Sequence, residues 1–130
     1  MIKNTILLAA GFILAGCGGG SSSSDQVSYA FVTNGVDPFW TIATSGVKTA
    51  SAELGVHADV LMPAAGAVEQ KSMLEDLVTR GTTGIAVSPI DSANQTDFLN
   101  QVAKQTILIT QDSDAPDSDR RVYIGMDNYD

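Results

Sequence analysis

Short apolar segments alternate with helix-forming segments along most of the chain. Residues 27–33, 56–62, 85–87 and 107–109 have the length and the β-branched or aromatic content of strands, and residues 122–124 form a fifth such segment. Between the first four of these, apolar residues recur at helical spacing. Regular alternation of strand and helix predicts an α/β fold with a mostly parallel sheet and helices on both faces.

The helix boundaries are marked by capping residues. Asp37 and Pro38 form a typical helix start, and Gly55 ends this first helix. A second helix is predicted over 67–80, and a third begins at Asp91 or Ser92 and runs through 104. Helical spacing predicts these inward-facing residues: Phe39, Ile42, Ala43, Gly46, Val47, Ala50 and Leu54, then Val68, Leu74, Leu77 and Val78, then Leu99, Val102 and Ala103.

The first residues have the pattern of an export signal. Lys3 precedes the apolar run 6–13, which is too short for a permanent membrane span. Leu14-Ala15-Gly16-Cys17 is similar to a bacterial lipobox, in which the cysteine is lipidated and becomes the new N-terminus. We expect 1–17 to be a lipoprotein signal peptide and lipobox, and 18–26 to be a flexible Gly/Ser linker. The chain would then be anchored to a membrane through Cys17 in the periplasm or cell envelope.

Composition argues against several functional classes. Fifteen Asp and Glu against seven Lys and Arg give a net charge of −8, which disfavours nucleic acid as a partner. Cys17 is the only cysteine and His57 the only histidine, so neither a disulfide nor a metal cluster is supported. Phosphate-binding glycine motifs are also missing from the sequence. We therefore expect no enzyme activity, cofactor or metal, and we expect Arg120 and Arg121 to be solvated charges.

Polar and aromatic residues follow the predicted strands at the edge where open parallel sheets bind ligands. Asp37 follows the first strand and Asp112 the fourth, and Phe39 and Trp40 add two aromatic rings. A sugar has C–H faces that pack on aromatic rings and hydroxyls that donate to carboxylates, so this edge favours a sugar site. Capping by Asp37 and core packing by Phe39 remain alternatives. Trp40 lies beside the apolar helix face and is less easily explained as core.

Several segments, in order, resemble the ribose-type, LacI-like periplasmic sugar-binding proteins of ABC importers. The similar segments are Thr33-Asn34-Gly35-Val36-Asp37-Pro38-Phe39-Trp40, then 74–81, 85–91, 107–116 and 125–128. The resemblance implies a three-layer αβα sandwich with a mostly parallel sheet, of the periplasmic-binding-protein-like type I. It implies that 27–130 is the incomplete N-terminal lobe, the first of two lobes that close on the sugar. We expect weak or no sugar binding by this lobe alone.

The resemblance also implies roles by position. Thr33 and Asp37 would bond sugar hydroxyls, and Asp112 would accept from one or two more. Phe39 and Trp40 would stack on the sugar ring. Ser113 stands beside Asp112, where many members have arginine, and this favours a sugar other than ribose. The implied partners are a monosaccharide and the membrane subunits of an ABC importer.

Three alternatives share a related fold. The chain could be the ligand-sensing domain of a periplasmic signalling or chemotaxis receptor system, which would use the same site without an importer. A LacI-type repressor core is disfavoured by the export signal and by the lack of a helix-turn-helix segment. A flavodoxin-like enzyme is disfavoured because the sequence carries no cofactor loop or catalytic constellation.

Overall fold

The computed structural model describes residues 27–126. The predicted signal peptide, the linker and the lipidation site at Cys17 lie outside this range, as do residues 127–130. The elements are β1 (Ser28–Val32), α1 (Pro38–Leu54), β2 (His57–Leu61), α2 (Ala67–Thr79), β3 (Gly84–Val87), α3 (Ser92–Ala103), β4 (Ile107–Gln111) and β5 (Tyr123–Ile124). All the elements predicted for this range are present, with bounds within one or two residues of those expected.

The five strands form one parallel sheet in the order β2-β1-β3-β4-β5. In the central part, Tyr29 pairs with Ala58 on one side and Gly84 on the other. Backbone hydrogen bonds extend this pairing past the strand ends, where Ser88 N donates to Val32 O at 2.9 Å. The α/β prediction is therefore confirmed, and the parallel register brings the carboxyl ends of the strands to one edge.

The hydrophobic core lies between one face of the sheet and helices α2 and α3. Leu74 and Leu77 of α2 and Leu99 and Val102 of α3 are buried, as their spacing predicted. They belong to one cluster with the strand residues Ala30, Val32, Ile85, Val87 and Leu108. Each fully buried leucine contributes about 1.5–3 kcal/mol to folding. Val68, at the start of α2, was predicted to face inward and is instead 83% exposed.

The inward face of α1 differs from the predicted one. Phe39 and Ile42 were expected to be inward and are 57% and 74% exposed. Leu54, also expected inward, is 74% exposed but lines an open cavity between α1 and the sheet. Trp40, expected beside the apolar face, is only 3% exposed and its ring lies 5.9 Å from that of Phe31. The half-buried positions that follow it at helical spacing are Thr44, Val47 and Ser51. Val47 was predicted inward, whereas Thr44 and Ser51 carry hydroxyl groups, so apolar spacing alone identified the inward stripe only in part.

Hydroxyl groups are tolerated on this inward stripe because the helix backbone satisfies them. Thr44 Oγ1 donates to Trp40 O at 2.8 Å, and Ser51 Oγ donates to Val47 O at 2.7 Å. The packing of α1 against the sheet is incomplete and leaves an open cavity of about 510 Å³. Its lining is mostly apolar and includes Tyr29, Phe31, Val47 and Leu54.

The predicted helix caps are confirmed. Asp37 precedes α1, and its Oδ1 accepts from Phe39 N at 2.8 Å. Asp91 precedes α3, and its Oδ1 accepts from Asn94 N at 3.3 Å. Gly55 ends α1 with φ of 64°, a left-handed conformation that glycine adopts without steric cost.

Candidate functional site

The carboxylate of Asp112 joins the ends of three neighbouring strands. Asp112 directly follows β4, and its Oδ2 accepts from Ser88 Oγ, just after β3, at 3.1 Å. The same oxygen accepts from Asn34 Nδ2, beyond β1, at 3.3 Å. Among residues 27–126, no group donates to the other oxygen, Oδ1, and the residue is exposed. Asp112 therefore has one oxygen bound within the protein and one free to accept from a ligand.

The backbone of Asp112 has an unusual conformation. Its φ is 61°, and within the described part of the chain it is the only residue other than glycine with a positive φ. The left-handed conformation costs a residue with a side chain about 1–2 kcal/mol. Two contacts with β5 hold it: Asp112 N donates to Ile124 O at 3.0 Å, and Tyr123 Oη donates to Asp112 O at 2.7 Å. Strained backbone held in this way is common at binding sites.

An ion pair between Asp114 and Arg120 closes the loop between β4 and β5. Arg120 Nη2 donates to Asp114 Oδ2 at 2.8 Å, and Arg120 Nε donates to Oδ1. Thr110 Oγ1 and Ala115 N also donate to Oδ1, at 2.6 and 2.8 Å. The expectation that Arg120 is a solvated charge was wrong, because its side chain is only 21% exposed and bound to a carboxylate at two points.

The same contacts change the acidity of Asp114. The hydrogen bonds from Arg120, followed by those from Thr110 and Ala115, lower the pKa of Asp114 from 3.8 to about 2, against the opposing effect of partial burial. Asp114 is therefore ionised over the whole physiological range. Asp112 lies two residues before Asp114, on the same loop as this ion pair.

The two aromatic rings at this edge have different surroundings. The Phe39 ring is exposed and lies 4.9 Å from that of Trp40 in an edge-to-face arrangement. Trp40 is buried between Phe39 and Phe31, and its Nε1 donates to Asn34 Oδ1 at 3.1 Å. Phe39 can therefore offer a ring face to a ligand. Trp40 lies beneath the surface and contacts the site through Asn34.

The remaining predicted residues fall into surface and buried groups. Thr33 is fully buried, and its hydroxyl donates to Gly35 O at 2.7 Å, so it lies beneath the site and is already satisfied within the loop. Asp37 is exposed while it caps α1. Ser113 is half-buried, and its N–H donates to Ser88 Oγ at 3.3 Å. A continuous chain of contacts joins Phe39 to Trp40, Asn34 and Asp112.

Sequence reasoning missed Asn34, Ser88 and a buried amide below them. Gln70 of α2 is fully buried, and its Nε2 donates to Thr33 O at 2.8 Å and to Ser88 O at 2.7 Å. Its Oε1 accepts from Ile90 N at 3.3 Å. Gln70 therefore ties together the loops that follow β1 and β3. Its position four residues before Leu74, on the inward stripe of α2, was the sequence signal that could have revealed it.

The described range offers neither a metal site nor a membrane span. Residues 27–126 contain no group of three His, Cys, Asp or Glu side chains placed to hold a metal ion. None of the helices in that range is long and apolar enough to cross a membrane. His57 is exposed on β2, and its Nε2 lies 3.1 Å from Asp59 Oδ1.

A family model described as the periplasmic binding protein domain matches residues 29–130. The chain belongs to the periplasmic binding protein family. The expected fold type is therefore confirmed, and the members of this family are solute-binding proteins. Sequence comparison with curated proteins gave no match.

Several solved periplasmic binding proteins are similar to this chain. An ABC transporter solute-binding protein from Burkholderia graminis, in complex with D-arabinose, is 30% identical with a TM-score of 0.74, over 78% of this chain and 36% of that one. A carbohydrate transporter solute-binding protein from Agrobacterium radiobacter, also in complex with D-arabinose, is 26% identical with a TM-score of 0.75. The match covers 82% of this chain and 37% of that one. A glucose-galactose binding protein from Geobacillus stearothermophilus is 29% identical with a TM-score of 0.74. The match covers 81% of this chain and 39% of that one. This chain thus spans somewhat more than a third of each of these relatives.

Proposed function

We propose that this chain supplies one wall of a monosaccharide-binding site in the substrate-binding component of an ABC sugar import system. The observation that carries the proposal is the Asp112 carboxylate, held at three strand ends with Oδ1 free to accept. Phe39 adds an exposed aromatic ring joined to it through Trp40 and Asn34. Together they match the two needs of a sugar, which are a hydroxyl acceptor and an apolar surface for its C–H groups.

The relatives support a pentose or hexose as the ligand. Those from Burkholderia graminis and Agrobacterium radiobacter were solved with D-arabinose, and that from Geobacillus stearothermophilus is a glucose-galactose binding protein. Ser113 beside Asp112 is uncharged, which is compatible with a neutral ligand. We therefore take D-arabinose as the first sugar to test.

The predicted site residues take distinct roles in this proposal. Asp112 Oδ1 accepts from a hydroxyl, Asp37 accepts from another, and Phe39 stacks on the ring. Ser113 lies at the rim. Thr33 and Trp40 support the wall from below, because both are buried. The role is binding and not catalysis.

The large cavity beside α1 is a poorer candidate for the sugar. Its volume of about 510 Å³ would hold a monosaccharide, but its lining is mostly apolar. A buried hydroxyl without a hydrogen-bond partner costs about 1–3 kcal/mol, and a sugar would bring several. Its hydroxyls are better matched by the carboxylates at the strand-end edge.

The proposal extends to the location of the protein. Residues 1–17 would direct export, Cys17 would carry the lipid anchor, and 18–26 would tether residues 27–130 in the periplasm or cell envelope, beside the importer's membrane subunits. Lys3, the apolar run 6–13 and the lipobox support this. Labelled palmitate should be incorporated by the full chain and not by Cys17→Ala. The ligand-sensing alternative would use the same wall, and no described contact favours it.

Saturation-transfer NMR with D-arabinose, D-glucose and D-galactose tests the proposed function, because it detects weak binding. We expect at least one of these sugars to give a signal with the full chain, and Phe39→Ala to reduce that signal several-fold. Ile42→Ala is the matched control, since Ile42 is an exposed apolar residue of the same helix and lies outside the contact chain. Equal signals from the two variants would contradict the role of Phe39, and no signal from any sugar would contradict the proposal that this wall contacts the sugar.

A further inference from the structure

The indole N–H of Trp40 has a specific acceptor at the site. Trp40 Nε1 donates to Asn34 Oδ1 at 3.1 Å, and Asn34 Nδ2 donates to Asp112 Oδ2 at 3.3 Å. An amide carries its acceptor and its donors on separate arms. Reversing the Asn34 amide would set its NH₂ group against the indole N–H and its oxygen against the carboxylate, two repulsive contacts. Trp40 therefore determines which arm of Asn34 faces Asp112.

The second donor to the same carboxylate oxygen is also oriented by the protein. Ser88 Oγ accepts from Ser113 N at 3.3 Å and donates to Asp112 Oδ2 at 3.1 Å. Both Asn34 and Ser88 thus donate to Oδ2. The carboxylate is held by one oxygen, and its rotation would break two hydrogen bonds at once.

We propose that Trp40 and Asn34 are positioning residues. They keep Asp112 Oδ2 hydrogen-bonded within the protein, so that only Oδ1 is available to bind the ligand. This inference rests on the proposed sugar site and adds a specificity rule to it. Asp112 accepts through a single oxygen, so every sugar hydroxyl that bonds to it must reach Oδ1. It does not bridge two adjacent hydroxyls with its two oxygens.

The packing of Trp40 can be separated from its hydrogen bond. Its ring meets those of Phe31 and Phe39 in edge-to-face contacts, with centroids 5.9 and 4.9 Å away. A phenylalanine ring can make contacts of this kind but has no N–H donor. Trp40→Phe therefore removes the donor to Asn34 and keeps an aromatic ring in the core.

The experiment is a double-mutant cycle of Trp40→Phe and Asn34→Ala in the full chain, with D-arabinose affinity measured by NMR titration. We expect Trp40→Phe to weaken binding about threefold to tenfold, the usual effect of losing one hydrogen bond. In the Asn34→Ala background, we expect Trp40→Phe to cause no further loss of D-arabinose affinity. An equal loss in both backgrounds would mean that Trp40 acts through packing alone, and would overturn the proposal.

A second measurement needs no sugar. Trp40 is the only tryptophan, so the chain has a single indole N–H resonance. We expect Asn34→Ala to shift this resonance and accelerate its exchange with water, because the acceptor is lost. If the chemical shift and the exchange rate of the indole N–H are unchanged by Asn34→Ala, the positioning role of Trp40 is refuted. A signal that responds, together with no arabinose-induced shifts in any variant, would instead refute the proposed function and leave the positioning of Asp112 supported.

Discussion

Gln95 Nε2 donates a hydrogen bond to Gln70 Oε1 at 3.0 Å in the buried space between α3 and α2. Gln95 Oε1 accepts in turn from Asp91 N at 2.9 Å, at the start of α3. In the described part of the chain, every buried side-chain nitrogen and oxygen has a partner. This amide pair links two helices to the loops that carry the candidate site, so the stability of the fold and the geometry of the site depend on the same residues.

Gln70→Leu should destabilise the fold on the order of 3 kcal/mol, because it leaves several buried groups without partners, among them the carbonyls of Thr33 and Ser88. Urea unfolding of the purified chain measures this difference. Gln101→Leu is the control, since Gln101 is exposed on α3, and it should change stability by no more than about 0.5 kcal/mol. Equal effects of the two variants would show that the buried amide is unimportant.

The ion pair between Asp114 and Arg120 should stabilise the fold at neutral pH and lose its effect in acid. The folded pKa of Asp114 is about 2, below its usual 3.8, so the contribution is full above the higher value and is lost as pH falls between them. Melting temperatures from about pH 5 to about pH 2 should show Asp114→Asn below the unmodified chain, with the gap narrowing in acid. Arg120→Gln should also melt below the unmodified chain, and this difference in melting temperature should narrow over the same pH range. A gap that is constant with pH would contradict this account.

The left-handed backbone of Asp112 predicts a difference between two small substitutions. Asp112→Gly and Asp112→Ala both remove the carboxylate and should both abolish sugar binding. Glycine adopts a φ of 61° without steric cost, whereas alanine does not, so the glycine variant should be about 1 kcal/mol more stable. Thermal unfolding of the two variants measures this. Equal stabilities would indicate that the loop relaxes away from the left-handed conformation.

Local sequence patterns were sufficient to predict the helices and strands, and to predict that the site lies at the carboxyl ends of the strands. The capping role of Asp37 and the burial of Leu74 and Leu99 follow from neighbouring residues and periodicity, and all are confirmed. The edge itself follows from parallel pairing, which brings the carboxyl ends of the strands together and places Asp112, after β4, beside the end of β3.

The details of the site depend on contacts between distant residues. Asn34 and Asp112 are 78 positions apart, so no local pattern shows that they bond. Trp40 was expected outside the core because the inward stripe of α1 contains Thr44 and Ser51, whose hydroxyls are satisfied by the helix itself. The pairing of Arg120 with Asp114 depends on how the loop between β4 and β5 folds back.

The most direct test of a sugar site at the strand-end edge is a ¹H–¹⁵N NMR titration of the full chain with D-arabinose, read residue by residue. The account predicts that the backbone amides of Phe39, Asp112 and Ser113 shift with sugar concentration, while those of Val47 and Leu54, beside the apolar cavity, do not. Shifts confined to the cavity, or none at the strand-end edge at saturating sugar, would contradict it.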